Sequence, residues 1–298
     1  MTTLKLPNGL PEAPKKVSSK LDLKNMEKSI KDAIDTVVVK ENYRAPYGLN
    51  KIGAGEIGEE CSRKIWYKFR KVLVTSFNAK TLRLFGTGHI IEDRVIKWLE
   101  KSGWTVVYQD ENGKQYKCKP VAGHFTGKLD LILTNEKLYP GVVIMADVKS
   151  FNDANFKKWK KDGVRVSHNK YFCQVSIYAV DYGVPYGAII GVNKNTDDLD
   201  VEIFEVDTDY VSSLKAKAER IITTKIAPAQ IAMSEAHFKC KFCDYKKLCH
   251  LGEGVIDINC RSCVNGTAQE DGSWSCDIYG AIPSDAIIKG CRQHNPIA

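Results

Sequence analysis

The amino-acid sequence predicts an α/β protein, with helices and strands alternating around one main core and a cysteine-rich region following it. Three observations carry that prediction. Short β-branched apolar runs sit between longer segments whose apolar residues recur at three and four, with Gly, Asn and Pro at the joins. At 43% hydrophobic and 27% charged over 298 residues, the chain can bury one large core or two smaller ones. Seven of its ten cysteines (Cys240, Cys243, Cys249, Cys260, Cys263, Cys276 and Cys291) fall after residue 239.

Residues 1–50 read as a Pro/Lys-rich tail followed by one amphipathic segment, LDLKNMEKSIKDAIDTVV. A helix is expected over 79–101, with Leu82, Phe85, Ile90, Ile91, Val95, Trp98 and Leu99 as its apolar side and Gly103 as its stop. Three strands follow, at WTVVYQ from Trp104, LDLIL from Leu129 and VVIMADVKS from Val142. Next come a lysine-rich helical stretch and a helix around YFCQVSIYAVDYG. Two further strands, YGAIIGVN and DVEIFEV, lead into a helix from about Thr208 to Lys225.

Several functional classes are excluded. No window approaches the roughly 18 to 20 uninterrupted apolar residues of a membrane span, and MTTLKLPNGLPEAPKK lacks the apolar centre of a signal peptide. The expectation is a cytoplasmic protein whose thiols are metal ligands rather than disulfides. Forty-four Lys+Arg against 36 Asp+Glu give a net charge of +8, compatible with a polyanionic partner.

The sharpest local signal lies in two neighbouring strands. Gly127-Lys128-Leu129-Asp130 opens one and Ala146-Asp147-Val148-Lys149 closes the other. Side chains alternate along a strand, so Asp147 and Lys149 share a face. Charges on otherwise apolar strands are costly unless paired or metal-bound. Two carboxylates with a backbone carbonyl suit a hard divalent cation, and an adjacent ammonium can help hold or deprotonate a nucleophile. Such a layout suits phosphodiester hydrolysis.

Gly88 to Glu92, Gly127 to Asp130, Asp147 to Lys149 and Gln174 to Tyr178 follow one another in the order of four motifs: Gly-x-x-x-His/Glu, Gly-x-x-Asp, (Asp/Glu)-x-Lys and Gln-x-x-x-Tyr. In this the chain resembles the PD-(D/E)XK nuclease superfamily, especially the RecB-like and CRISPR-associated iron-sulfur exonucleases, over roughly Cys61 to Cys249. The resemblance implies a restriction-endonuclease-like core, a central mixed β-sheet flanked by helices. It implies that Asp130 and Asp147 bind Mg²⁺ or Mn²⁺ with the Val148 carbonyl assisting, and that Lys149 orients or activates the attacking water. Gln174 and Tyr178, one turn apart on a helix, would position DNA or the lysine. Where many relatives have His as the fifth residue of the first motif, this chain has Glu92, and a histidine stands after the glycine at His89. Both are candidate ligands, with Glu92 in the family position.

Cys240-x2-Cys243-x5-Cys249 supplies three thiols, and a tetrahedral or cluster site needs a fourth ligand. In the iron-sulfur relatives a distant cysteine before the core closes the set, a place held here by Cys61. The resemblance implies a 4Fe-4S cluster, with zinc as the alternative. Cys260-x2-Cys263-x12-Cys276-x14-Cys291, with His294 beyond, has zinc-ribbon spacing, Gly272 and Trp274 lying in a hairpin. Cys291 and His294 compete as fourth ligand, and Cys291 is preferred. Cys118 and Cys173 read as ordinary buried thiols.

These signals divide the chain into an N-terminal tail and helix (1–50), a nuclease domain closed by a cysteine cluster (51–250) and a zinc-ribbon-like module (251–298). The activity expected is that of a metal-dependent DNA exonuclease of recombination, replication or repair, with the compact layout of a phage-encoded enzyme. An endonuclease on the same site, or a nucleic-acid-binding protein without turnover, are the alternatives. Lys157 to Lys161 and Arg165 would attract the phosphate backbone. Trp159 and Tyr171 either stack on unpaired bases or pack in the core.

Overall fold

The computed structural model describes residues 22–42, 51–73 and 76–297. The tail expected over 1–21 lies outside them. The chain divides into two units. In the first, helix α1 (Leu23–Glu41) is capped by the Asp22 side chain, which accepts from Asn25 N, and Arg83 pairs with Asp35. The amphipathic reading of this segment holds, and none of its residues is buried.

The second unit holds β1 (Ile52–Gly53), α2 (Ser62–Phe69), most of α3 (Ala79–Lys101), β2 (Thr105–Val107), β3 (Phe125–Thr126), β4 (Leu131–Thr134), β5 (Val143–Phe151), α4 (Asp153–Ser167), α5 (Asn169–Tyr182), β6 (Tyr186–Asn193), β7 (Leu199–Glu205), α6 (Thr208–Thr223), α7 (Lys246–Leu251), β8 (Gly266–Ala268), β9 (Trp274–Cys276) and β10 (Gly280–Ile282). The main sheet runs β2-β4-β5-β6-β7 and is mixed, since only β5 and β6 are parallel. That parallel pair requires a crossover, supplied by α4 and α5. The sequence reading missed the two-residue strands β1 and β3, which pair in parallel, because strands this short carry no periodicity.

Alternation along β5 assigns its two faces. Ile144, Ala146 and Val148 pack with Ile91 and Val95 of α3, and Met145 and Phe151 join the larger core with α4, α5 and α6. Of the apolar side expected on α3, Ile91, Val95 and Leu99 follow the sheet at four-residue steps. Phe85, Ile90 and Trp98 lie off that line and are exposed.

The lysine-rich helix is interrupted, with Gly163 at φ +71, and Glu202 of β7 accepts from Val164 N there (2.8 Å). Glu202 also accepts from Trp159 Nε1 (2.5 Å), so Trp159 is a core residue, stacked on Phe151. Base stacking by Trp159 is thereby excluded.

The last segment forms a small antiparallel sheet, β8-β9-β10, in which β8 and β9 make the expected hairpin. It is fastened to α2 by two buried arginines. Arg70 donates to the Gly266 and Cys263 carbonyls (2.9 and 2.6 Å), and Arg261 donates to the Phe69 carbonyl. Both guanidiniums lie 5.3 Å from the ring centre of the buried Trp274.

Candidate active site

Four segments meet at one mouth of the sheet: the middle of α3, the turn before β4, the centre of β5 and the first half of α5. The β4–β5 register sets Leu131 opposite Ala146, so Asp130, one residue earlier, comes opposite Asp147. Gly127, at the start of that turn, has no room for a side chain: a Cβ there would stand 2.5 Å from Tyr178 Oη and 2.7 Å from Ala54 Cβ. The glycine of the motif is therefore a matter of close approach, and it lets the turn lie against Tyr178 of α5.

Asp147 is 2% exposed, and its Oδ2 lies 2.5 Å from Lys149 Nζ. That oxygen is buried and accepts no hydrogen bond of good geometry, despite the nearby ammonium. Gln174 Nε2 donates to Asp130 Oδ2 (3.2 Å). Burial first, then Asp147, push the Asp130 carboxyl up to about 9. Glu92 is also raised, by burial and then by Asp147. Burial pulls the Lys149 ammonium down, but Asp147 and Asp130 outweigh it and its pKa rises. Tyr178 is raised, chiefly by burial and then by Asp130.

Three carboxylates thus face one ammonium, and one of them is pressed to keep its proton. A hard divalent cation would relieve this imbalance at the buried Asp130 and Asp147 carboxylates, and Mg²⁺ needs only one or two protein carboxylates. Among the described residues no group of three or more His, Cys, Asp or Glu side chains is drawn together tightly enough to hold a metal by itself.

The other expected site residues are placed as follows. Glu92 turns toward the two aspartates, while the His89 side chain is 74% exposed with its Nδ1 3.8 Å from Glu92 Oε2. The Val148 side chain packs on the α3 face, leaving its backbone carbonyl as the group it can offer. Tyr171, one turn before Gln174 on α5, places its ring centre 5.0 Å from Lys149 Nζ and stacks on His168. It is a neighbour of the lysine that the four motifs omit, although its three-residue spacing from Gln174 is the available signal. Lys157, Lys160 and Arg165 pair with Asp153, Asp200 and Asp207, so the basic stretch is partly neutralised by the protein itself.

Cys61, Cys240, Cys243 and Cys249 line one cavity of about 160 Å³, together with Arg63, Lys64, Tyr67 and Lys239. Cys61 is the N-cap of α2 and its Sγ accepts from Lys64 N (3.4 Å). The thiols named by spacing and by resemblance thus face one space from segments some 180 residues apart in sequence. Cys118 and Cys173 are buried, as expected.

No protein-family model and no curated protein matches the chain. Among solved structures, the alkaline exonuclease LHK-Exo from Laribacter hongkongensis, in complex with dAMP, is similar at 12% identity and a TM-score of 0.43, the match covering 58% of this chain and 86% of that one. A phage-related exonuclease from Haemophilus somnus is similar at 14% identity and a TM-score of 0.39, with 58% and 96% covered. No helix among the described residues is long and apolar enough to cross a membrane.

Proposed function

We propose that the chain is a metal-dependent deoxyribonuclease of the PD-(D/E)XK type, acting on DNA ends. The observation that carries this is the pairing of Asp130 with Asp147 across two strands, with the buried Asp147 carboxylate ion-paired to Lys149. A structural ion pair would need one acid for one base. The second carboxylate and Glu92 are explained by an ion of higher charge.

Asp130 and Asp147 would hold Mg²⁺ or Mn²⁺, with Glu92 behind them and the Val148 carbonyl beside them. The ion supplies Lewis-acid polarisation of a phosphodiester and a more acidic bound water. Lys149, kept protonated by its acidic neighbours, donates hydrogen bonds that orient the attacking water and oppose charge developing on the phosphate. Gln174 holds Asp130 in place through its amide. Tyr178 supports the turn from beneath, and its phenol stays protonated. The buried walls around Asp147 and Lys149 limit bulk water at the reacting atoms.

We assign Cys61, Cys240, Cys243 and Cys249 to a 4Fe-4S cluster, with zinc as the competing occupant. Four thiols on one cavity supply the donor set, while Lys64 and Lys239 on its rim are paired with Glu59 and Glu60. Iron and zinc analysis with visible absorption of anaerobically purified protein separates the two. A colourless, iron-free and zinc-loaded preparation would replace the cluster with zinc.

One experiment tests the activity. End-labelled linear and closed circular DNA are incubated with Mg²⁺ or Mn²⁺ and with chelator, beside Asp147→Asn and Lys149→Met. Metal-dependent loss from ends only is expected. Cutting of circles would make the protein an endonuclease, and no metal-dependent loss from either substrate would leave a DNA-binding protein.

A further inference from the structure

Trp159 is lost to the core, but another aromatic ring of the same unit stands in the open. Cys240 and Cys243 line the thiol cavity, and the two residues between them, Lys241 and Phe242, are left outside, with Phe242 86% exposed. A single exposed ring needs no explanation, but this one lines a groove of about 530 Å³. Gly252, at φ +67, ends α7, and Glu253 N donates back to the Lys247 carbonyl (3.3 Å). The chain thereby returns and brings the exposed Val255 to the same groove.

Lys241, Lys246 and Lys247 line the groove as well, and Lys241 Nζ lies 5.4 Å from the centre of the Phe242 ring. None of the three forms an ion pair among the described residues, and Lys246 donates to the Lys241 carbonyl (3.3 Å). Asp244 and Glu253 also line the groove, which leaves a surplus of a single positive charge. So small a surplus does not hold a polyanion by attraction alone. A ring beside ammonium groups fits a ligand that has both a flat face and a phosphate, which is an unpaired nucleotide. Duplex DNA, its bases stacked on one another, offers the ring nothing. A loop built to enter a lipid surface would carry its apolar residues on a protruding face, whereas Phe242 and Val255 line a hollow in the size range of small-ligand sites.

The groove is joined to the mouth of the sheet by shared walls. Cys243 lines both it and the thiol cavity, Glu59 on that cavity pairs with Lys170 of α5 (2.7 Å), and Lys170 stands one turn before Gln174. We propose that this groove binds an unpaired DNA strand, with a base stacked on Phe242 beside Val255 and the flanking phosphates on Lys241, Lys246 and Lys247. The choice of DNA as ligand rests on the deoxyribonuclease reading of the mouth, and the groove is then an anchoring subsite apart from the reacting phosphate. Stacking accepts every base, so no sequence preference is expected.

The test measures binding of the full-length protein to a fluorescent oligothymidylate, to a hairpin duplex and to phosphatidylserine vesicles, in reducing buffer without divalent metal so that nothing is hydrolysed. Wild type is expected to prefer the oligothymidylate. Phe242→Ala should weaken that binding about 5- to 150-fold, the worth of one stacked base, leave duplex binding unchanged, and be made good by Phe242→Trp. Lys247→Gln should lower the log-log salt slope by about 0.7, the share of one phosphate on a single strand. Phe242 and Lys247 are both exposed, so neither change disturbs the core. Unchanged oligothymidylate affinity in Phe242→Ala, or an equal loss for the duplex, overturns the stacking, and an unchanged slope in Lys247→Gln overturns the phosphate contact. Vesicle binding that Phe242→Ala abolishes while oligothymidylate binding persists would make the groove a lipid contact instead. The two readings fail separately. Metal-dependent hydrolysis with no effect of Phe242→Ala on binding keeps the nuclease and removes the groove, whereas Phe242-dependent binding without any hydrolysis keeps the groove and removes the nuclease.

Discussion

The mouth of the sheet and the C-terminal segment are both buried clusters of ionisable groups, and their charges fail to balance in opposite directions. At the mouth, Asp130, Asp147 and Glu92 outnumber Lys149. In the C-terminal segment, the buried Arg70 donates to two backbone carbonyls and forms no ion pair among the described residues. At the acids a divalent ion would add the missing positive charge directly. The lesson is that a metal site can be read from the sign of the charge the protein leaves uncovered, as well as from its ligands.

The most severe way to break the comparison is Asp147→Asn, which removes the charge that the mouth is built around. Hydrolysis of linear DNA should fall by about 10⁴-fold or more, as for other central catalytic groups, while iron and zinc content are untouched. A drop in both would mean the two regions are not separate.

Lys149→Met comes next, with activity expected to fall by about 10²- to 10⁴-fold. This variant also sharpens the contrast. Removing the ammonium should tighten Mn²⁺ binding at the mouth, measured by calorimetry. Weaker Mn²⁺ binding in Lys149→Met would contradict the charge reading.

Gly127→Ala should cost about 10²-fold in kcat/KM, since its Cβ must push Asp130's turn away from Tyr178 and misplacement near 1 Å has effects of that size. Unchanged kinetics would show that the turn gives way without moving the carboxylate.

The smallest effect is a slope in stability with pH. The Asp130 carboxyl has an ordinary pKa of 3.8 and is pushed up to about 9 in the folded, metal-free protein, so the native state holds a proton that the unfolded state has lost. Its contribution is complete below about pH 4 and is lost as pH rises toward 9. In chelator the melting temperature should fall across that window, and Asp130→Asn should flatten the fall. A slope unchanged in Asp130→Asn would assign the proton elsewhere.

Much of the fold was legible because period-2 and period-3.6 patterns are local. The helix over 79–101 and the strands of Val143–Phe151 and Tyr186–Asn193 follow directly from them. The pairing of Asp130 with Asp147 was legible as a possibility from two neighbouring strand motifs, but the register that sets Asp130 beside the centre of Val143–Phe151 was not. The roles of Trp159 and His89 were not. Trp159 is drawn inward by Glu202 from a distant strand, and His89 is turned to solvent by the phase of a helix whose apolar side is broader than the sheet it covers.

What the sequence alone determined is the inventory: four motifs in order, two sets of thiols at metal-binding spacing, and the alternation that puts Asp147 and Lys149 on one face. Tertiary structure alone decided which groups are left with uncovered charge. Arg70 carries no signal in its neighbourhood, and its meaning appears only when the chain folds nearly two hundred residues back to set Cys263 and Gly266 against it. Burial and long-range contact determine electrostatic cost, and neither is a property of a local stretch of chain.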